Sequence, residues 1–192
     1  MRAMRERSYR RMIKIAIFFC MIALISISGF PYSLYAEPEW KQFELMSGYG
    51  IAHLPAEVEK HKIIPLVGRF YCEVKPDGFF GADIFYTSVL EPASKMEAGG
   101  GIFWQQRYRA YSKISPYWEA EGGLIYTTLD TKEQTTNENL LLQLGFGTYI
   151  SLKDNLQFDA GYRLRHYSNA GIKLPNIGIN HHMLVFGLCW NF

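Results

Sequence analysis

After residue 36 the chain alternates apolar and polar side chains at period two in eight stretches separated by turn-like clusters, and nowhere sustains a helical period. The pattern predicts strands over residues 41–52, 63–74, 79–90, 99–111, 117–128, 140–152, 155–168 and 180–192. In "NLQFDAGYRLRHYS" one face carries Leu156, Phe158, Ala160, Tyr162, Leu164, His166 and Ser168, while the other carries Gln157, Asp159, Arg163 and Arg165. The last stretch aligns Leu184, Phe186, Leu188, Trp190 and Phe192 in the same way, and the sixth sets Leu140, Leu142, Leu144, Phe146 and Ile150 against Gln143, Gly145, Gly147 and Ser151.

A soluble β-sandwich also alternates, so the polar face must decide which side meets water. Its charges are Glu44, Arg69, Glu73, Asp83, Arg107, Arg109, Glu119, Glu121, Asp159, Arg163 and Arg165: six acids, five arginines and no lysine. A solvated surface would carry more lysine. Near-balanced carboxylates and guanidiniums suit a confined lumen, where charges have to be paired and hydrogen-bonded. The fold class predicted is therefore all-β, an eight-stranded antiparallel transmembrane β-barrel, a size whose interior side chains fill without leaving a channel. The segments match the roughly 9 to 11 residues that a tilted strand needs to cross a bilayer, and an aromatic share of 16% fits interfacial girdles. With both termini periplasmic, "KPDG", "SKISP" and "LKDN" become short turns, and residues 53–62, 91–98, 129–139 and 169–179 become outer loops. The closing "LVFGLCWNF" resembles the assembly signal of bacterial outer-membrane barrels, so the expected location is the outer membrane, after export to the periplasm.

The beginning of the chain agrees with export. Six Lys or Arg and one Glu in "MRAMRERSYRRMIK" precede an apolar run and "PYSLYA", the layout of a secretory signal peptide over residues 1–36, with the barrel over 37–192. A membrane-anchor helix is the competing reading, but the run is shorter than the roughly 20 residues that spanning requires. A lipoprotein reading of Cys20 is weaker, because Phe18 and Phe19 stand where small residues belong. Without the leader the formal charge of +2 becomes about −3, which removes the basic surface that nucleic-acid binding needs. Cys72 and Cys189 make no disulfide framework, and zinc-type CxxC spacing is absent. The adjacent His181 and His182 point to opposite faces of a strand and give only a weak metal signal. No metal or organic cofactor is implied.

The segment "RHYSNAGIKLPNIGIN" carries the candidate chemistry. His166, Ser168 and Asn180 share the lipid-facing parity at the outer end of the seventh and eighth strands, where polar groups are costly unless partnered. Decoration of the membrane interface is the better explanation of a lone His or Ser, yet this set is chemically complete. Ser168 serves as nucleophile, His166 as the base and Asn180 as the orienter of the imidazole. Asn169, Gly171 and Asn176 offer amide donors for an oxyanion. Gly171, Pro175 and Gly178 shape the loop, and ordinary loop-making accounts for them as well as catalysis does.

"HYSNAG", the following "PN" and "G", and the position twelve after the serine resemble the lipid A 3-O-deacylases of the PagL type, small outer-membrane barrels with a catalytic serine. The resemblance implies an esterase removing an acyl chain from lipopolysaccharide, with His166 as base, Ser168 as nucleophile, and Gly171 and Asn176 at the oxyanion. One departure stands out, since the family's best-known member has a glutamate at the position of Asn180. An asparagine can hold an imidazole but lacks the charge that stabilises imidazolium; losing that acid in a serine protease costs about 10⁴ in kcat. The expected partner is lipid A in the outer leaflet, and pairing of two barrels as a homodimer is compatible with the layout. Two other functions fit the same barrel: a non-enzymatic adhesion or integrity protein, and a lipid A acyltransferase.

Overall fold

The eight alternating stretches become eight strands, each hydrogen-bonded antiparallel to its sequence neighbours, and β1 closes onto β8. The computed structural model describes residues 41–54, 59–91, 94–129 and 136–192; the expected leader lies outside the described residues. The strands are β1 (Gln42–Leu54), β2 (Glu59–Lys75), β3 (Gly78–Glu91), β4 (Lys95–Arg107), β5 (Ile114–Thr127), β6 (Glu138–Lys153), β7 (Leu156–Ser168) and β8 (Ile179–Asn191).

The parity reading is borne out. Glu44, Arg69, Asp83, Arg107, Glu119, Glu121, Asp159, Arg163 and Arg165 are all buried, whereas Ile84, Leu124, Leu144 and Phe146 stand more than half exposed on the outside. Inside, charge is met by charge. Arg69 reaches three carboxylates, with Nε 3.2 Å from Asp83 Oδ2, Nη1 2.7 Å from Glu119 Oε2 and Nη2 3.0 Å from Glu121 Oε2. Arg163 Nε lies 2.8 Å from the other Glu119 oxygen. Gln143 donates to Glu121 at 2.6 Å and Gln105 to Glu119 at 3.1 Å, so the carboxylates also accept neutral donors. The Arg107 guanidinium lies over the rings of Tyr149 and Phe79, 3.9 and 4.1 Å from their centroids. Outside, Phe43 sits beside Phe70 and Trp190 at centroid distances of 5.0 and 6.1 Å, part of an aromatic row near the short-turn end.

Two charges depart from the expectation. Arg109 is exposed in the β4–β5 turn rather than in the lumen, because β4 ends at Arg107 and the backbone bends there with φ 55°. Glu73 is half-buried at the mouth of the barrel, where it accepts from Tyr111 Oη and from the Asp77 amide. The β4–β5 turn occupies residues 108–113 rather than 112–116, and β4 begins at Lys95, four residues before its predicted start at 99. Strands also extend into the expected outer loops: β1 runs to Leu54 and β2 starts at Glu59.

Candidate active site

β7 and β8 meet at the end of the barrel with the longer connections, joined by residues 169–178. Their register places His166 directly beside Asn180, with Leu164 opposite His182 below them. On the other flank of β7, His166 faces Leu142 and Ser168 faces Leu140. Strand alternation turns Arg165, Tyr167 and Asn169 inward, all nearly fully buried, and leaves His166, Ser168 and Asn180 on the outer surface.

The cross-strand pair makes a hydrogen bond: His166 Nδ1 is 2.8 Å from Asn180 Oδ1. An amide oxygen only accepts, so the bond fixes the imidazole proton on Nδ1 and leaves Nε2 with its lone pair, the tautomer a general base requires. Each polar group thereby partners the other on an apolar surface, which reduces the cost of placing them there. Ser168 is two residues along the same face, about 7 Å from His166 in backbone terms. No hydrogen bond joins Ser168 to His166 among the described residues. A serine and a histidine that act together often approach each other only when substrate is bound.

The connection is folded on itself. Asn169 donates its amide N–H to Asn176 Oδ1 at 3.0 Å and its Nδ2 to Lys173 O at 2.9 Å, and its Oδ1 accepts from Gly171 N at 2.9 Å. Ala170 and Gly171 take left-handed backbone conformations, φ 54° and 81°, which turn the chain away from the strand. Of the three amide groups expected at an oxyanion, Asn169 Nδ2 and Gly171 N therefore spend their protons within the loop. Asn176 Nδ2 stays uncommitted among the described residues. The loop also exposes Ile172, Leu174 and Ile177, an apolar set adjoining the polar pair.

Two contacts were beyond the reach of spacing. Gly178, at φ +79°, passes against the edge of the imidazole, so that a Cβ there would lie 2.6 Å from His166 Cε1. Tyr162 Oη is hydrogen-bonded to His182 Nδ1 on the same outer face, a second, diagonal polar pair four residues from His166 on β7 and two from Asn180 on β8. Only the strand parity of His182 could have hinted at this.

No curated protein sequence matches the chain. Among solved structures, neisserial surface protein A (NspA) is similar with a TM-score of 0.60 and 15% identity, over 81% of this chain and 99% of that one. The outer membrane enzyme PagL gives a TM-score of 0.56 and 22% identity over 76% and 97%. The N-terminal barrel of Pseudomonas aeruginosa OprF gives 0.51 and 11% over 80% and 98%. At such identities the likeness is one of fold. The family model of lipid A 3-O-deacylase (PagL) matches residues 80–189, more than half of the chain and all but the last two residues of the β6–β8 wall, and the protein thus belongs to the PagL lipid A 3-O-deacylase family of outer-membrane β-barrels.

Proposed function

We propose that this barrel hydrolyses the ester-linked acyl chain at the 3 position of lipid A, with Ser168 as nucleophile, His166 as general base and Asn180 as orienter. The observation that carries the reading is the His166–Asn180 hydrogen bond on the lipid-facing surface, which presents a basic nitrogen at the height where an acylated sugar would lie. Ser168 Oγ attacks the ester carbonyl as its proton passes to His166 Nε2. The oxyanion accepts a hydrogen bond from Asn176 Nδ2. Collapse of the tetrahedral species returns the proton to the departing sugar oxygen and leaves an acyl-serine. Water, deprotonated by the same nitrogen, then attacks the acyl group, releasing free fatty acid and restoring Ser168. The exposed Ile172, Leu174 and Ile177 supply apolar surface for acyl chains.

The test is lipopolysaccharide incubated with the refolded protein in detergent and analysed by mass spectrometry. Free 3-hydroxy fatty acid is expected from the wild type and none from Ser168→Ala, with heat-modifiable gel migration unchanged. Intact lipid A beside a folded wild-type barrel would exclude hydrolysis. Transfer of a chain to a second lipid would identify an acyltransferase instead.

A further inference from the structure

Inside the barrel are three buried residues that deacylation does not use: His61 of β2, Glu97 of β4 and His181 of β8, each 0% exposed. His181 Nε2 is 2.9 Å from His61 Nδ1, with the rings inclined at 59°. The two histidines come from strands separated by β1. They meet because the lumen residue facing His61 is Ala52, whose short side chain leaves room above it. Glu97 comes from β4, four strands around from β8 in either direction, and so reaches these rings from the opposite wall.

One potential ligand atom from each residue lies within 4.8 Å of the others. Glu97 Oε1 accepts from Tyr167 Oη at 2.7 Å, and the Tyr167 ring stacks on His181 at a centroid distance of 5.7 Å. The second oxygen, Glu97 Oε2, is fully buried without a hydrogen-bond partner, as are His61 Nε2 and His181 Nδ1. A lone carboxylate oxygen in a dry interior is costly unless something positive meets it. Arg165, paired with His181 in register, is the neighbouring cation. Its Nε and Nη1 go to Gln143 Oε1 at 3.2 Å and Thr87 Oγ1 at 3.4 Å rather than to Glu97.

We propose that His61, Glu97 and His181 bind one divalent transition-metal ion of the zinc class, tying β2, β4 and β8 together across the lumen. Two imidazoles and a carboxylate form a familiar three-residue zinc set, with water in the fourth position. Calcium and magnesium prefer oxygen-rich coordination and fit this set poorly. On a tetrahedral ion with bonds of about 2.0–2.1 Å, neighbouring ligand atoms stand about 3.3 Å apart. The histidine nitrogens therefore need to part by only a few tenths of an ångström, while the Glu97 carboxylate swings inward. Tyr167, holding Oε1, orients the carboxylate.

Cobalt(II) is the probe, because a four-coordinate cobalt site absorbs in the visible. The full barrel is refolded into detergent with cobalt, desalted, and measured for bound metal and for its ligand-field bands. The expected result is one cobalt per chain, displaced by zinc. Binding should be weakened at least about 100-fold in His61→Gln and in Glu97→Gln, and about 10- to 100-fold in Tyr167→Phe. It should be unchanged in His182→Gln, whose side chain faces outward. A folded wild type without stoichiometric metal overturns the proposal, as does full binding retained by either ligand variant. Should those variants fail to fold, the wild type decides: zinc is expected to raise its unfolding temperature, and an unmoved transition overturns the proposal.

Discussion

Replacing Gly178 by alanine tests whether the position of one imidazole limits the reaction. The added Cβ would lie 2.6 Å from His166 Cε1, 3.2 Å from its Nε2 and 3.1 Å from Tyr167 O. Carbon atoms rest at about 3.5–4.0 Å, so the ring has to retreat by roughly 1 Å. The carbonyl of Tyr167 belongs to the strand itself and cannot yield as readily. A retreat of that size strains the 2.8 Å bond to Asn180 and carries Nε2 away from the position that the proposed mechanism gives it beside Ser168. A misplacement of about 1 Å costs on the order of 10²-fold in rate. The left-handed backbone at φ +79° adds roughly 1–2 kcal/mol of destabilisation for any residue with a Cβ.

The two effects separate experimentally. In the fatty-acid release assay, Gly178→Ala is expected to lose about 10²-fold in kcat, with KM changed little. Urea unfolding in detergent should show the smaller stability loss. Gly122→Ala is the control, since a Cβ there meets nothing within 4 Å. A folded Gly178→Ala protein with wild-type kcat would refute the reasoning, because the base could then move freely without consequence. An equal loss in Gly122→Ala would show that the substitution acts through the barrel at large.

Four further substitutions have expected outcomes. Asn180→Ala should lower kcat by about 10²-fold through loss of imidazole orientation, whereas Asn180→Asp should raise it about 10-fold, a fraction of the roughly 4 kcal/mol that a unit charge offers at 4 Å in a medium of effective dielectric 20; a pH-independent failure of the aspartate to exceed wild type would show that the orienter's charge is not limiting. Asn176→Ala should reduce kcat by about 10²–10³-fold with little effect on KM, as for removal of an oxyanion donor, and an unchanged kcat would move the oxyanion elsewhere. Arg69→Met removes the guanidinium that Asp83, Glu119 and Glu121 share and leaves Arg163, Gln105 and Gln143 to meet only part of their charge, so equilibrium unfolding should register a loss of about 3–5 kcal/mol; a loss below about 1 kcal/mol would show that the remaining partners suffice.

What could be read from the sequence was largely parity, one bit per residue, and parity is what a single-layer wall obeys. Arg163, Arg165 and Asp159 went inward and Leu164, His166 and Ser168 outward as the alternation required. It failed where alternation outlasted the strand or fell silent within it. "RYRAYS" keeps its rhythm past the end of β4, so the turn at Arg109 left no trace in hydrophobicity. The run Gly99, Gly100, Gly101 has no rhythm, so alternation gives no sign of the start of β4 and leaves Glu97 within the expected loop. His61 likewise falls within an expected loop, because β2 begins earlier than its apolar positions suggest. Two of the three lumen ligands were thus hidden by strand ends, while the histidine on β8 was visible without a partner.

The outward placement of the proposed catalytic groups has a mechanical consequence. Lipid offers an outward side chain no hydrogen bonds and no fixed packing, so His166 and Ser168 can be held only by each other's neighbours in the wall and by the backbone of β7. That backbone is anchored from the inside, by Arg165 to Gln143 and by Tyr167 to Glu97, on the residues that flank and separate the pair. Precision on the oily side is therefore supplied by hydrogen bonds on the charged side. A substitution in the lumen that leaves the barrel closed but frees Tyr167 should cost rate before it costs stability, and its effect should fall on kcat rather than on the affinity for lipid.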